Sequence, residues 1–135
     1  MTTTRSINRP LISLPEEINT LPVNDILDIY LGNVRIGCVE KNIIVDNYQH
    51  DTPNYHWICK CVIPVYWIKI INVWYQCRNK NKCKHNHKTV PNNIPVLDNV
   101  WLKTCTISWT INENNLQCAI EELWKIYHIF NTLKP

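Results

Sequence analysis

The chain has 135 residues, 45% of them hydrophobic, with six tryptophans and a net charge of +3. That length buries a single core, and that composition is too apolar for a disordered chain. No stretch approaches the roughly 18 apolar residues of a membrane span, and the opening MTTTRSINRP lacks the apolar run of a secretory leader.

In chain order, residues 1–13 read as a flexible polar arm and residues 14–135 as one α+β domain. LPEEINTLPVNDILDIYLGN reads as short helical pieces. Asn24 is placed to cap a helix through Ile26, Ile29 and Tyr30, and Gly32 to end it. VRIGCV and NIIVD read as two strands around a turn at Glu40-Lys41-Asn42. The block YHWICKCVIPVYWIKIINVWYQC is rich in Val, Ile, Tyr and Trp and is expected to be strand, split or bulged at Pro64.

Residues 77–98 form a long loop with a basic first half, of a length that is usually functional or tied down. VWLKTCTISWTI then alternates as one strand, with Trp101, Cys105, Ile107, Trp109 and Ile111 on one face. LQCAIEELWKIYHIF closes the chain as a helix with Leu116, Ala119, Ile120, Leu123, Tyr127 and Phe130 on its apolar stripe. The expected architecture is a mostly antiparallel sheet of about five strands with the C-terminal helix packed on it and helical pieces at the start.

The stretch CRNKNKCKHNHK, Cys77 to Lys88, is the least ordinary. It is basic, acid-free, and holds two cysteines and two histidines. Seven cysteines make an odd number, ill suited to a secreted disulfide framework. The expectation is a reducing compartment, cytoplasm or nucleus, where cysteines are thiols or metal ligands.

Structural zinc takes four ligands from Cys sulfur and His nitrogen. The candidates are Cys59, Cys61, Cys77, Cys83, His85 and His87, and the preferred set is Cys59 or Cys61 with Cys77, Cys83 and one of the two histidines. The competing reading makes them core thiols and solvated imidazoles. His56 is a substitute ligand, His50 and His128 read as surface residues, and Cys38, Cys105 and Cys118 as core thiols.

The same segment supports a second reading. Arg78, Lys80, Lys82, Lys84 and Lys88 would contact phosphates while Trp74 and Tyr75 stack on bases. Catalysis is not expected. Two glycines in the whole chain leave no phosphate-cradling loop, and no nucleophile elbow or zinc-hydrolase motif occurs.

Three short stretches look like docking motifs. Ile36-Gly37-Cys38-Val39-Glu40 resembles the Ile/Leu-x-Cys-x-Glu segment that small DNA-virus oncoproteins present to retinoblastoma-type pocket proteins. Leu14-Pro15-Glu16-Glu17-Ile18, with Leu21-Pro22 and Asp25-Ile26-Leu27, looks like a compressed F-box start. Asn115-Leu116-Gln117-Cys118-Ala119 is similar to the ubiquitin-ligase box of retroviral infectivity factors, which also carry a zinc site. Val100-Trp101, Cys105, Trp109 and Leu116-x-Cys118 resemble the zinc-binding end of polyomavirus small t antigens.

These resemblances imply a small non-enzymatic viral protein that binds and modulates host proteins, docking through Ile36, Cys38, Glu40, Leu116 and Cys118 and stabilised by one zinc. An abundance of Ile, Asn and Lys, the products of AT-rich codons, fits a viral genome. The alternative is a basic RNA- or single-strand-binding protein. Six tryptophans exceed what one small core needs, so some are expected on an interaction surface, or buried by pairing two copies along a strand edge.

Overall fold

A computed structural model describes residues 4–8, 25–43, 55–78, 83–112 and 116–133. The elements are β1 (Thr4–Asn8), β2 (Ile26–Leu31), β3 (Val34–Ile43), β4 (Tyr55–Val62), α1 (Val65–Cys77), β5 (Asn99–Trp101), β6 (Thr106–Ile111) and α2 (Leu116–Thr132). They build one sheet in the order β1-β2-β3-β4-β6-β5. Every pairing among β2 to β6 is antiparallel, and β1 adds a parallel edge against β2. The α+β class and the C-terminal helix stand as the sequence implies.

Several elements differ. Residues 4–8 of the expected arm are β1. The expected helix through Ile26 and Tyr30 is β2, in which Leu27 and Ile29 point inward and alternate with less buried neighbours. Its spacing fits either period, and pairing with β3 decides for the strand. Gly32, at φ +63°, forms the β2–β3 turn with Asn33 rather than ending a helix. Glu40-Lys41-Asn42 is no turn but continues one ten-residue strand. The helical pieces expected within residues 14–24 lie outside the described residues.

The largest correction is α1. VYWIKIINVWYQC is a helix, not a strand, and it buries Trp67, Ile68, Ile71 and Cys77 on one side. Pro64 precedes it with extended ψ of 150°, and its carbonyl accepts the first backbone bonds from Trp67 and Ile68. VWLKTCTISWTI is likewise a hairpin rather than one strand. A turn over residues 102–105 separates β5 from β6, with Cys105 held at φ 49°.

The core lies between one face of the sheet and the two helices. Leu27, Val39, Cys59 and Trp109 form a row across four strands, and Ile29, Gly37, Cys61 and Ile107 form the next. α2 lays Leu116, Ala119, Ile120, Leu123, Ile126 and Phe130 on this surface, each fully buried, worth about 1.5–3 kcal/mol for each large side chain. Tyr127, expected on that stripe, is half-buried at its border. Trp67 of α1 meets Phe130 of α2 edge-on, with ring centroids 5.2 Å apart, and so seats α1 beside α2. Trp57, Trp67 and Trp109 are interior, Trp74 and Trp124 are half-buried, and Trp101 is exposed.

Candidate metal centre

α1 ends at Cys77, and the chain returns through Cys83, His85 and His87. The Cys77 Sγ stands 3.3 Å from His85 Nδ1, and Cys83 Sγ stands 3.1 Å from His87 Nε2 and 3.7 Å from His85 Nδ1. All four donor atoms lie within 4.8 Å of one another. With Zn–S of about 2.3 Å and Zn–N of about 2.0–2.1 Å, a tetrahedral S2N2 shell has edges of about 3.3–3.8 Å. The three S···N separations, 3.1–3.7 Å, fall within about 0.5 Å of the S–N edge of about 3.5 Å, and two sulfurs with two nitrogens are a donor set that zinc takes.

Local structure holds these residues in place. Around His87, the Lys88 backbone N–H donates to Asn86 Oδ1, and Val90 N–H donates to the His87 carbonyl, so the segment turns back on itself. Val90 and Leu97 plug the loop into the core. At the far end, the Tyr75 hydroxyl donates to the Asp98 carbonyl at 2.8 Å, and the Arg78 guanidinium donates to the Leu97 carbonyl. Arg78 also lies over the Tyr75 ring, 4.2 Å from its centre. The last turn of α1 therefore grips both ends of the loop.

The thiols divide by environment. Cys83 is pulled down from the ordinary 9.0 to about 6, first by hydrogen bonding with Cys77, then by the His85 backbone and, less, by the His87 and His85 rings, against an opposing desolvation. Cys59 and Cys61 move the other way. Burial pushes both well above 9.0, with the charges of Glu122, Cys38 and Cys61 adding to the effect at Cys59. A metal ligand must be a thiolate. Cys59 and Cys61 are fully buried core residues of β4, paired across the sheet with Trp109 and Ile107, and stand outside the Cys/His group. In the structure both histidines stand with Cys77 and Cys83, and neither Cys59 nor Cys61 does.

Other expected site residues fall as follows. His56 sits in β4 opposite Asn42 and takes no part in the group. His128 is exposed on α2 and Cys38 is buried, both as read from sequence; Cys105 and Cys118 are only half-buried. His50, Lys80 and Lys82 lie outside the described residues. Trp74 and Tyr75 pack half-buried against the core, and Arg78 is engaged with Tyr75 and Leu97. Lys84 and Lys88 are exposed.

Ile36 and Cys38 are buried in β3, a strand bonded on both edges, so Ile36 to Glu40 is not a free extended segment. Leu116 is fully buried at the start of α2, while Cys118 lines a cleft with Glu121 and Glu122. The F-box-like start lies outside the described residues up to its last part, where Ile26 and Leu27 belong to β2. The clasp by Tyr75 and Arg78 was missed. No local pattern announces it, because its acceptors, the Leu97 and Asp98 carbonyls, lie 19 and 23 residues away in sequence.

An uncharacterized protein of Acanthamoeba polyphaga mimivirus is 33% identical over 102 residues, which are 74% of this chain and 61% of that protein. A second uncharacterized mimivirus protein is 25% identical over 117 residues, 86% of this chain and 91% of its own length. The chain thus spans less than two thirds of the first relative. No family model matches it, and no solved structure does. The similarity is to viral proteins, and no likeness to small t antigens or retroviral infectivity factors is found.

Proposed function

We propose that this chain is a small non-enzymatic viral protein that binds and modulates host proteins, held in shape by one zinc ion on Cys77, Cys83, His85 and His87. The observation that carries this reading is the convergence of four donors, two sulfurs and two nitrogens, within 4.8 Å of one another. Four protein ligands fill a zinc shell and leave no position for substrate, which is the pattern of a structural site. The ion would fasten an otherwise irregular loop to the end of α1.

The surface beside that loop supports the binding role. Val65, Tyr66 and Val73 are exposed on α1, and Ile70 and Val73 meet His85 and His87 around a cavity of about 350 Å³. Apolar groups at the mouth of a metal-fixed loop are a surface on which a partner can anchor. Such a protein would act in the cytoplasm or nucleus of the infected cell. Nucleic-acid binding by the 78–88 cluster is the less supported alternative, because Arg78, Trp74 and Tyr75 are already engaged inside the fold.

Elemental analysis of the purified protein tests the centre. One zinc per chain is expected, lost in Cys83→Ser and His87→Ala and retained in Cys61→Ala. A metal content unchanged by Cys83→Ser removes the site. Capture of a host protein at fixed stoichiometry tests the role, and a capture indifferent to both Val73→Asp and chelation removes the proposed docking surface.

A further inference from the structure

The second face of the sheet, turned away from both helices, carries its own site. Strand alternation puts Asp28 and Tyr30 of β2, Arg35 of β3, Lys60 of β4, Thr106 of β6 and Trp101 of β5 on this face. The register shift beside Ile29 and Tyr30 lets Arg35 stand here, opposite Tyr30, with Ile36 buried. Arg35, Lys60, Trp101, Thr104 and Thr106 line a cavity of about 310 Å³.

We propose that this face binds a nucleoside phosphate, in the form of single-stranded nucleic acid. Trp101 is 44% exposed at the end of β5 and stands in the wall of this cavity. Arg35 gives only its Nε to Asp28, at 2.8 Å, which leaves the terminal nitrogens of its fork for an anion. Among the described residues Lys60 has no ion-pair partner. Thr104 and Thr106 add hydroxyls beside the ring.

The layout is aromatic, cation, cation, aromatic. Tyr30 lies on β2 and Trp101 on β5, four strand spacings apart, or about 19 Å. Sheet-surface modules that read single strands stack about two or three bases over such a span, while basic side chains between them take the phosphates. The acids on this face do not block the path. Asp28 is held by Arg35, Asp98 accepts from the Thr110 hydroxyl at the other end of β6, and Glu40 sits farther along β3, opposite Ile26 and Ile58. The site owes nothing to the metal centre or to the 78–88 cluster.

The test uses the full chain as purified and fluorescent ten-nucleotide pyrimidine RNA and DNA, with AMP and inorganic phosphate as competitors. Binding is expected to quench tryptophan emission and to fall with salt at a log–log slope of about −1.4, for two phosphates at about −0.7 each. Trp101→Ala should weaken it about tenfold, the stacking increment of one base, and abolish the quench. Arg35→Gln and Lys60→Gln should each flatten the slope by about 0.7.

Lys84→Gln with Lys88→Gln should change nothing. AMP competing as well as the oligonucleotide would identify a free nucleotide as the ligand of the same site. The proposal is overturned by absent binding, by binding indifferent to Trp101→Ala, by equal competition from inorganic phosphate, or by loss in the Lys84/Lys88 variant instead.

Discussion

Cys77 Sγ and His85 Nδ1 stand 3.3 Å apart and join the last turn of α1 to a loop segment eight residues away in sequence. A thiol at a helix end and an exposed imidazole gain little from each other without an ion between them.

Metal removal should therefore act locally. Cys77 alone of the four residues proposed to hold zinc is buried, and the row of core residues across the sheet contains none of them. Free zinc at about a hundred times its Kd would stabilise the fold by about 2.7 kcal/mol. For a domain of this size that is about 10 °C in Tm. Chelation should lower the melting temperature by that order and speed amide exchange in residues 83–98 while the β3, β4 and β6 amides stay protected. A melt and an exchange map identical with and without chelator would sink the metal centre.

The thiols should differ sharply in reactivity. In the metal-free chain Cys83 titrates at about 6, so it is largely thiolate at pH 7. Iodoacetamide should label Cys83 first, more slowly as pH falls through about 6, and Cys59 and Cys61 not at all in the native state. Zinc should protect Cys83. The folded value is below the ordinary 9.0, so the stability this group contributes is present above about pH 9 and is lost as pH falls through about 6. Mass mapping of labelled peptides across pH 5–8 checks the order.

How far the sequence was legible depends on whether a residue's role was set by near or by distant neighbours. The stripe of α2 is self-contained: Leu116, Ala119, Ile120, Leu123 and Phe130 recur at helical spacing, and all are buried. Cys83, His85 and His87 stand close in sequence and stay close in space. By contrast, α1 has apolar residues on its outer side as well, Val65, Tyr66 and Val73, and these blur a period otherwise visible in Trp67, Ile68 and Ile71. Its β-branched content then argues for a strand, and packing against α2 overrides that propensity. Cys59 and Cys61 do share a strand face, as Cys-x-Cys requires. What covers that face comes from β3, β6 and α2, and no local pattern encodes it.

Gly37 is the tightest point of the sheet. A Cβ built there would lie 2.1 Å from the Lys60 carbonyl oxygen and 3.1 Å from Leu123 Cδ1. The first is backbone in a paired strand and cannot rotate away. Gly37→Ala should destabilise by at least about 1–3 kcal/mol, the range of core overpacking. Urea unfolding checks it; a midpoint equal to wild type would show that β3 and β4 can part without cost.

Alkaline conditions should loosen the fold. Cys59 and Cys61 are held protonated by burial well above 9.0, whereas in the unfolded chain both ionise near that value. Above about pH 9 the native state keeps protons that the unfolded state has released, so stability falls as pH rises. Melting temperature should decline above pH 9, and less steeply in Cys61→Ala, which has one fewer raised thiol even though its neutral-pH Tm is lower.

Trp67 links the two helices by two separate interactions. Its Nε1–H donates to the Leu133 carbonyl at 2.8 Å, which satisfies an acceptor at the end of α2, and its ring meets Phe130 edge-on. Trp67→Phe keeps much of the ring contact and deletes the donor. Because Leu133 is exposed, water can take over its carbonyl, and the loss should be about 1 kcal/mol. Trp67→Ala removes the packing as well and should cost about 3–5 kcal/mol. Both should lower the urea midpoint with an unchanged m value. If Trp67→Ala costs no more than Trp67→Phe, the ring contact is not what seats α1 against α2.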